Sequence, residues 1–250
     1  MRYRNPVFGR YANRAVSENR ATMAGITTKT IILTAVTIVS GIISVLLGMR
    51  VTVVGETPTV EMTNALWIAF GLSGIFALIA SFVGMFVPKT ANVMSFVYAI
   101  TQGISLGVLS AVMELYAPGI VLIAVGSTVA IFFIMLLLYK NNTFRNRAFT
   151  FKFMTSLLLG ALVASLIVSL TVFVMGANAV SPGVYFLIAL AFLVYSALMF
   201  VFDFDYANAV VESGLDKKYE WVASFSLLIT IIMIYIRILR LLSIFFQRNE

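Results

Sequence analysis

Seven long apolar segments follow one another along the chain, and each has about the 20 residues that a helix needs to cross a ~30 Å hydrocarbon core. They lack the alternation of apolar and polar residues that marks a transmembrane β-strand, and they are about twice as long as such a strand. The pattern predicts seven transmembrane helices, namely Thr30 to Met49, Ala65 to Val87, Asn92 to Leu115, Gly119 to Tyr139, Phe153 to Met175, Gly183 to about Val211, and Trp221 to Phe246.

The composition of the chain agrees with this pattern. Apolar residues make up 61% of the 250 residues and charged residues only 11%, whereas a soluble domain carries about 25% charged residues. Too few polar residues remain to cover a surface in contact with water, so the outer face of the folded chain must contact hydrocarbon. The predicted fold class is an all-α polytopic membrane protein.

Two residue types with rich chemistry do not occur in the sequence, which contains no cysteine and no histidine. Disulfides, thiolate nucleophiles, histidine-bound zinc and Ser-His-Asp triads are therefore excluded. We expect no enzyme activity, no cofactor and no resident metal ion. The net charge is +7, but the basic residues lie between apolar segments, which is typical of a membrane protein and does not indicate binding to nucleic acid.

The distribution of Lys and Arg predicts the orientation in the membrane. Six basic residues precede the first helix, seven lie in the even-numbered connections, and Arg50 is alone in the odd-numbered ones. By the positive-inside rule we expect the N-terminus to be cytoplasmic. We predict a basic cytoplasmic segment, residues 1–29, and a seven-helix membrane domain, residues 30–250. The basic residues of the even-numbered connections are Lys89, Lys140, Arg145, Arg147, Lys152, Lys217 and Lys218.

Few polar residues lie at membrane depth, where an ionisable group costs at least ~2.5 kcal/mol and so marks a candidate functional site. If the sixth helix continues to Val211, Asp203 lies ~12 Å above its cytoplasmic end, while Thr230 and Gln102 lie ~13 and ~15 Å from the same side on the seventh and third helices. We expect these three groups to share one layer inside the bundle. The alternative is that the sixth helix stops at Phe202, which would place the aspartate in a loop.

The neighbouring Asp205 cannot face the same cluster, because residues two apart point ~200° away from each other on a helix. We expect Asp203 to face inward and Asp205 to reach water or Lys217 and Lys218. In a chain without histidine, Asp203 is then the expected proton-sensitive group.

A second group of charges is predicted near the outer membrane surface. Arg237 and Arg240 lie three apart on the last helix, and they either extend to the interface or, in the case of Arg237, pair with Glu114. Glu220 is predicted to stabilise the N-terminus of the last helix as a favourable charge. Small residues in the second and third helices predict close packing within the bundle: Gly71, Gly74, and the G-x-x-x-G of Gly103 and Gly107.

Several segments together resemble a known family. The stretch from Tyr98 to Tyr139 (YAITQGISLGVLSAVMELYAPGIVLIAVGSTVAIFFIMLLLY), the FDFD at Phe202 to Asp205, the closing YEWVASFSLLITIIMIYIRILRLLS from Tyr219, and NPVF at Asn5 to Phe8 are similar to the bacterial branch of the Bax inhibitor family. The similarity covers nearly the whole chain. It implies six helices surrounding a central seventh and, for bacterial relatives, a pH-sensitive calcium leak.

In that family a pair of aspartates, one each in the sixth and seventh helices, is the pH sensor. The first matches Asp203, with Asp205 as an alternative registration, but the second falls on Thr230, so the pair is broken. Gln102 and Arg237 also stand where relatives have glutamate. The resemblance therefore implies a weakened cation pathway, in which calcium would contact Asp203 only in transit.

Two hypotheses about function follow. The first is a pH-sensitive cation leak centred on Asp203, with calcium or protons as its partners besides the lipid bilayer. The second is a non-conducting protein that modulates other membrane proteins, such as a quality-control protease. The sequence does not indicate an oligomeric state.

Overall fold

The computed structural model describes residues 20–54, 57–141, 143, 146–176 and 179–247. Within them lie seven long helices, which confirms the predicted fold class. The segment NPVF, the other predictions for residues 1–19, and Arg145 fall outside the described residues. The helices are α1 (Met23–Gly48), α2 (Asn64–Phe86), α3 (Ala91–Tyr116), α4 (Ile120–Lys140), α5 (Arg147–Met175), α6 (Pro182–Glu212) and α7 (Lys218–Gln247).

Polar residues at the membrane ends belong to the helices, and this shifts two predicted boundaries. Both α1 and α5 begin about two turns before the predicted Thr30 and Phe153. Their true starts are capped by Thr22, whose side chain accepts a hydrogen bond from the Gly25 N–H, and by Asn146. Hydropathy marks the part of a helix inside hydrocarbon, whereas a capping side chain marks where the helix begins.

A short β-hairpin joins α1 to α2, in a region that the hydropathy pattern assigns only to a connection. Strand β1 (Met49–Val54) pairs antiparallel with β2 (Thr57–Met62), and Met49 is opposite Met62. Both strands are rich in valine and threonine, which favour extended structure. The hairpin is an addition to the predicted seven helices.

The apolar residues of the helices lie largely on exposed faces, as a membrane-spanning chain requires. Leu47 on α1 is 78% exposed and Phe173 on α5 is 88% exposed. All seven helices are long and apolar enough to cross a membrane. Of the 18 residues that form the apolar segment of α7, 61% are buried, against 33% or less in the corresponding segments of the other six helices.

The chain divides into two compact units. The first unit comprises Met1–Val108 and Asp203–Leu228, and the second comprises Leu109–Phe202 and Ile229–Glu250. The division falls inside α3, α6 and α7. The hydropathy pattern could not predict it, because that pattern distinguishes only whole helices.

In the first unit, α1 and α3 pack closely through glycines. A Cβ atom on Gly103 would overlap the Ser40 hydroxyl, and one on Gly107 would overlap the Gly41 carbonyl. The G-x-x-x-G therefore serves packing within the bundle, as predicted. The glycines of α2 do not, because a Cβ on Gly71 or Gly74 would meet nothing within 4 Å.

Candidate functional site

Asp203 lies inside a helix and is buried. Helix α6 continues to Glu212, so the alternative in which it stops at Phe202 is wrong. Asp203 is ~14 Å from the end of α6 by helix rise, and it is 5% exposed. A carboxyl group so far inside a membrane helix needs polar partners, because burying it without them is costly.

The first such partner is Ser226 on α7, which belongs to the same unit. Its hydroxyl donates a hydrogen bond to Oδ1 of Asp203. Ser226 lies ~12 Å from the start of α7 by helix rise, so the depths of the two residues match. Sequence reasoning missed this serine and selected Thr230, one turn later on the same helix. Measuring depth from the actual start of α7 would have favoured Ser226.

Of the predicted layer of three groups, Asp203 and Thr230 are both buried, and their grouping with Gln102 stays a prediction. Gln102 is half-buried, and its side chain is hydrogen-bonded to Tyr98, one turn away on α3. The amide is satisfied locally because residues four apart meet on one helix face. Thr230 is 2% exposed and lies in the second unit.

Asp205 is more exposed than Asp203, in the order of burial that the sequence predicts. Its expected contact with water or with Lys217 and Lys218 stays a prediction.

A second buried carboxylate in the first unit joins α7 to α1. Glu220 is only 1% exposed. It forms an ion pair with Lys29, and its Oε1 accepts hydrogen bonds from the Thr22 N–H at 2.7 Å and the Thr22 hydroxyl at 3.2 Å. The sequence predicted only a favourable charge at the start of α7. In the fold Glu220 also fixes the beginning of α1.

Two further contacts strengthen this junction. The Ser224 hydroxyl donates to the Ile26 carbonyl at 2.8 Å, and the Lys29 ammonium lies 5.0 Å from the centre of the Trp221 ring. The junction holds α1 against α7 a little more than one turn from Ser226, so it supports the helix that carries the partner of Asp203.

In the second unit, the predicted pair of Arg237 and Glu114 is wrong. Glu114 Oε1 accepts from the Gly119 N–H at 2.6 Å, and Oε2 accepts from the Val121 N–H at 3.1 Å. Glu114 thus caps α4, whose first N–H groups would otherwise lack acceptors. The Arg237 guanidinium lies 4.6 Å from the centre of the Phe192 ring. Arg240 is exposed, as expected for a residue that extends to the interface.

This arrangement can bind and release a proton at one buried carboxyl group. Within the described residues no three His, Cys, Asp or Glu side chains converge in a way that could hold a metal ion. Asp203 and Ser226 together supply a carboxylate and a hydroxyl, which are oxygen ligands suited to a passing hard cation.

Seven apolar helices and a carboxyl group buried in the sixth define the chain as a multi-pass membrane protein. The family described as Bax inhibitor 1 like matches residues 5–247, and the chain belongs to that family. No curated protein matches the chain. The assignment to the bacterial branch stays a prediction.

Proposed function

We propose that the protein is a pH-sensitive cation leak, with calcium as its leading ion, whose controlling group is Asp203. The observation that carries this proposal is the burial of Asp203 ~14 Å inside α6, beside a hydroxyl donor from α7. Ionisable groups retained at such depth in membrane proteins commonly belong to ion or proton pathways. The orientation proposed with it is a cytoplasmic N-terminus in the cell inner membrane.

The chemistry of the pair supports control by a single proton. A serine hydroxyl can both donate and accept, so Ser226 can serve ionised Asp203 as a donor and protonated Asp203 as an acceptor. Only the ionised form offers a negative charge to a cation. Two carboxylates sharing a site would titrate in two coupled steps, but Thr230 replaces the second one. The rate of the proposed leak should therefore follow the titration of a single carboxyl group.

The experiment is calcium flux into liposomes that contain the purified protein and an enclosed indicator, across mildly acidic to mildly alkaline pH. We expect wild-type flux to vary with pH and Asp203→Asn to remove that variation. Asp205→Asn, two residues away on the same helix, is the matched control and keeps the wild-type profile. Equal flux in empty and protein-containing liposomes, or an unchanged profile in Asp203→Asn, would contradict the proposal.

The second candidate function is a non-conducting partner that modulates other membrane proteins, such as a quality-control protease. It is favoured by Thr230, Gln102 and Arg237, which stand where the family resemblance leads one to expect acidic residues. This candidate predicts no flux above empty liposomes, together with specific co-purification of a membrane protein that Asp203→Asn leaves unchanged.

A further inference from the structure

A basic cleft opens in the first unit, where α1, α3 and α7 come together. Its volume is about 420 Å³. Four of its seven lining residues are lysines, and they come from three separate parts of the chain. The lining residues are Lys29, Pro88, Lys89, Asn92, Lys217, Lys218 and Trp221.

Only one of the four lysines of this cleft is paired with a carboxylate of the described residues. Lys29 is neutralised by Glu220. Asp216 uses Oδ1 to accept the backbone N–H of Lys218. Across the described residues, Lys89, Lys217 and Lys218 form no ion pair. The Lys218 ammonium lies 5.6 Å from the centre of the Tyr219 ring, so three lysines line the cleft without a carboxylate partner.

The positions of these lysines are electrostatically unfavourable for the isolated chain. Lys89 and Asn92 flank the start of α3, and Lys217 and Lys218 are at the start of α7. The N-terminal end of a helix carries partial positive charge, so cations there are destabilising and an anion is stabilising. An anion in the cleft would relieve the repulsion among these lysines, which lie near the starts of α3 and α7.

The source of the anion follows from where the cleft lies. It is formed at the ends of membrane-spanning helices, and Trp221, a residue type enriched at membrane interfaces, lines it. Lipid headgroups occupy that level. We propose that the cleft is a binding site for the phosphate of an anionic phospholipid headgroup, a site distinct from Asp203 and independent of ion conduction.

The test uses the full-length purified protein in a zwitterionic detergent. Phosphatidylglycerol and phosphatidylcholine of equal chain length are titrated separately, and bound lipid is counted by native mass spectrometry. We expect phosphatidylglycerol to bind in preference to phosphatidylcholine. Replacing both exposed lysines, in Lys89→Gln with Lys217→Gln, should weaken this binding about fivefold for each lysine removed.

A matched pair of substitutions separates the cleft from general surface charge. Lys140→Gln with Lys152→Gln removes the same charge from two exposed lysines, one at the end of α4 and one near the start of α5, and should leave the affinity unchanged. Equal loss in both double variants, or no loss in the cleft variant, would overturn the proposal. Soluble glycerol phosphate distinguishes the source: we expect it to compete poorly, and competition as strong as that of the lipid would overturn the assignment to a headgroup.

Discussion

Ser226 on α7 donates its hydroxyl to the buried carboxyl group of Asp203 on α6. The two residues lie at matching depths on helices that run in opposite directions through the membrane, so the bond joins two spans deep inside hydrocarbon. Its effect is to lower the free energy of a carboxyl group that would otherwise be costly at this depth.

Ser226→Ala is expected to destabilise the protein by about 1–3 kcal/mol, because it leaves a buried carboxyl group with one donor fewer. In an Asp203→Asn background the same substitution should cost about 1 kcal/mol less, since the charge that strengthened the bond is gone. Both values come from reversible unfolding in mixed detergent, arranged as a double-mutant cycle.

The control for this cycle is Ser196→Ala, which changes a serine on α6. Ser196 is 1% exposed and donates to the Phe192 carbonyl of its own helix at 2.9 Å. It should show no coupling to Asp203→Asn. Additive costs for Ser226 and Asp203, within about 0.3 kcal/mol, would mean that their bond does not contribute to stability.

Glu220→Gln is expected to destabilise the protein by about 2 kcal/mol or more. The amide can still accept from Thr22, but it leaves Lys29, only 13% exposed, without its counter-charge. Thermal unfolding in detergent measures the loss, and Glu212→Gln at the exposed end of α6 should stay within about 0.5 kcal/mol of wild type.

Adding Lys29→Met to Glu220→Gln removes the second charge as well, and it should recover part of the lost stability. A Glu220→Gln protein as stable as wild type would show that the ion pair contributes nothing to holding α1 against α7. So would a double variant that is less stable than Glu220→Gln alone.

The helices could be predicted from the sequence because crossing a membrane constrains every residue in a long run. Asp203 could also be found, since a charged residue in such a run stands out. Ser226 could not, because a serine in a membrane helix commonly bonds to a carbonyl of its own helix, as Ser196 does, and nothing local distinguishes the one that reaches another helix.

Contacts between residues far apart in the sequence could not be predicted for a related reason. Lys29 and Glu220 are 191 residues apart, and each has an ordinary local explanation, as an interfacial lysine and as a charge at a helix N-terminus. The predicted pair of Arg237 and Glu114 failed because it was based on depth alone. Glu114 instead satisfies backbone N–H groups at the start of α4, which a helix end requires.

Glu114→Ala is expected to cost about 1–2 kcal/mol through loss of the α4 cap, while Glu114→Gln, which keeps a carbonyl acceptor, should cost less. Arg237→Met should cost about 0.5–1 kcal/mol, the usual contribution of a cation above an aromatic ring. Because the two residues have separate partners, their costs should add in the double variant. Coupling above about 0.5 kcal/mol in thermal unfolding would contradict this separation.

Alanine substitutions at glycine should divide sharply between α3 and α2. Gly103→Ala and Gly107→Ala place a Cβ against α1, where Ser40 and the Gly41 carbonyl leave no room. We expect each to destabilise the protein by about 1–3 kcal/mol, since overpacking forces the two helices apart.

Gly71→Ala and Gly74→Ala meet nothing within 4 Å, and they should be neutral or stabilising by up to about 1 kcal/mol, because alanine favours helix more than glycine. Thermal unfolding of the four single variants in one detergent provides the comparison. Equal losses in both helices would show that the glycines of α3 matter for a reason other than their contact with α1.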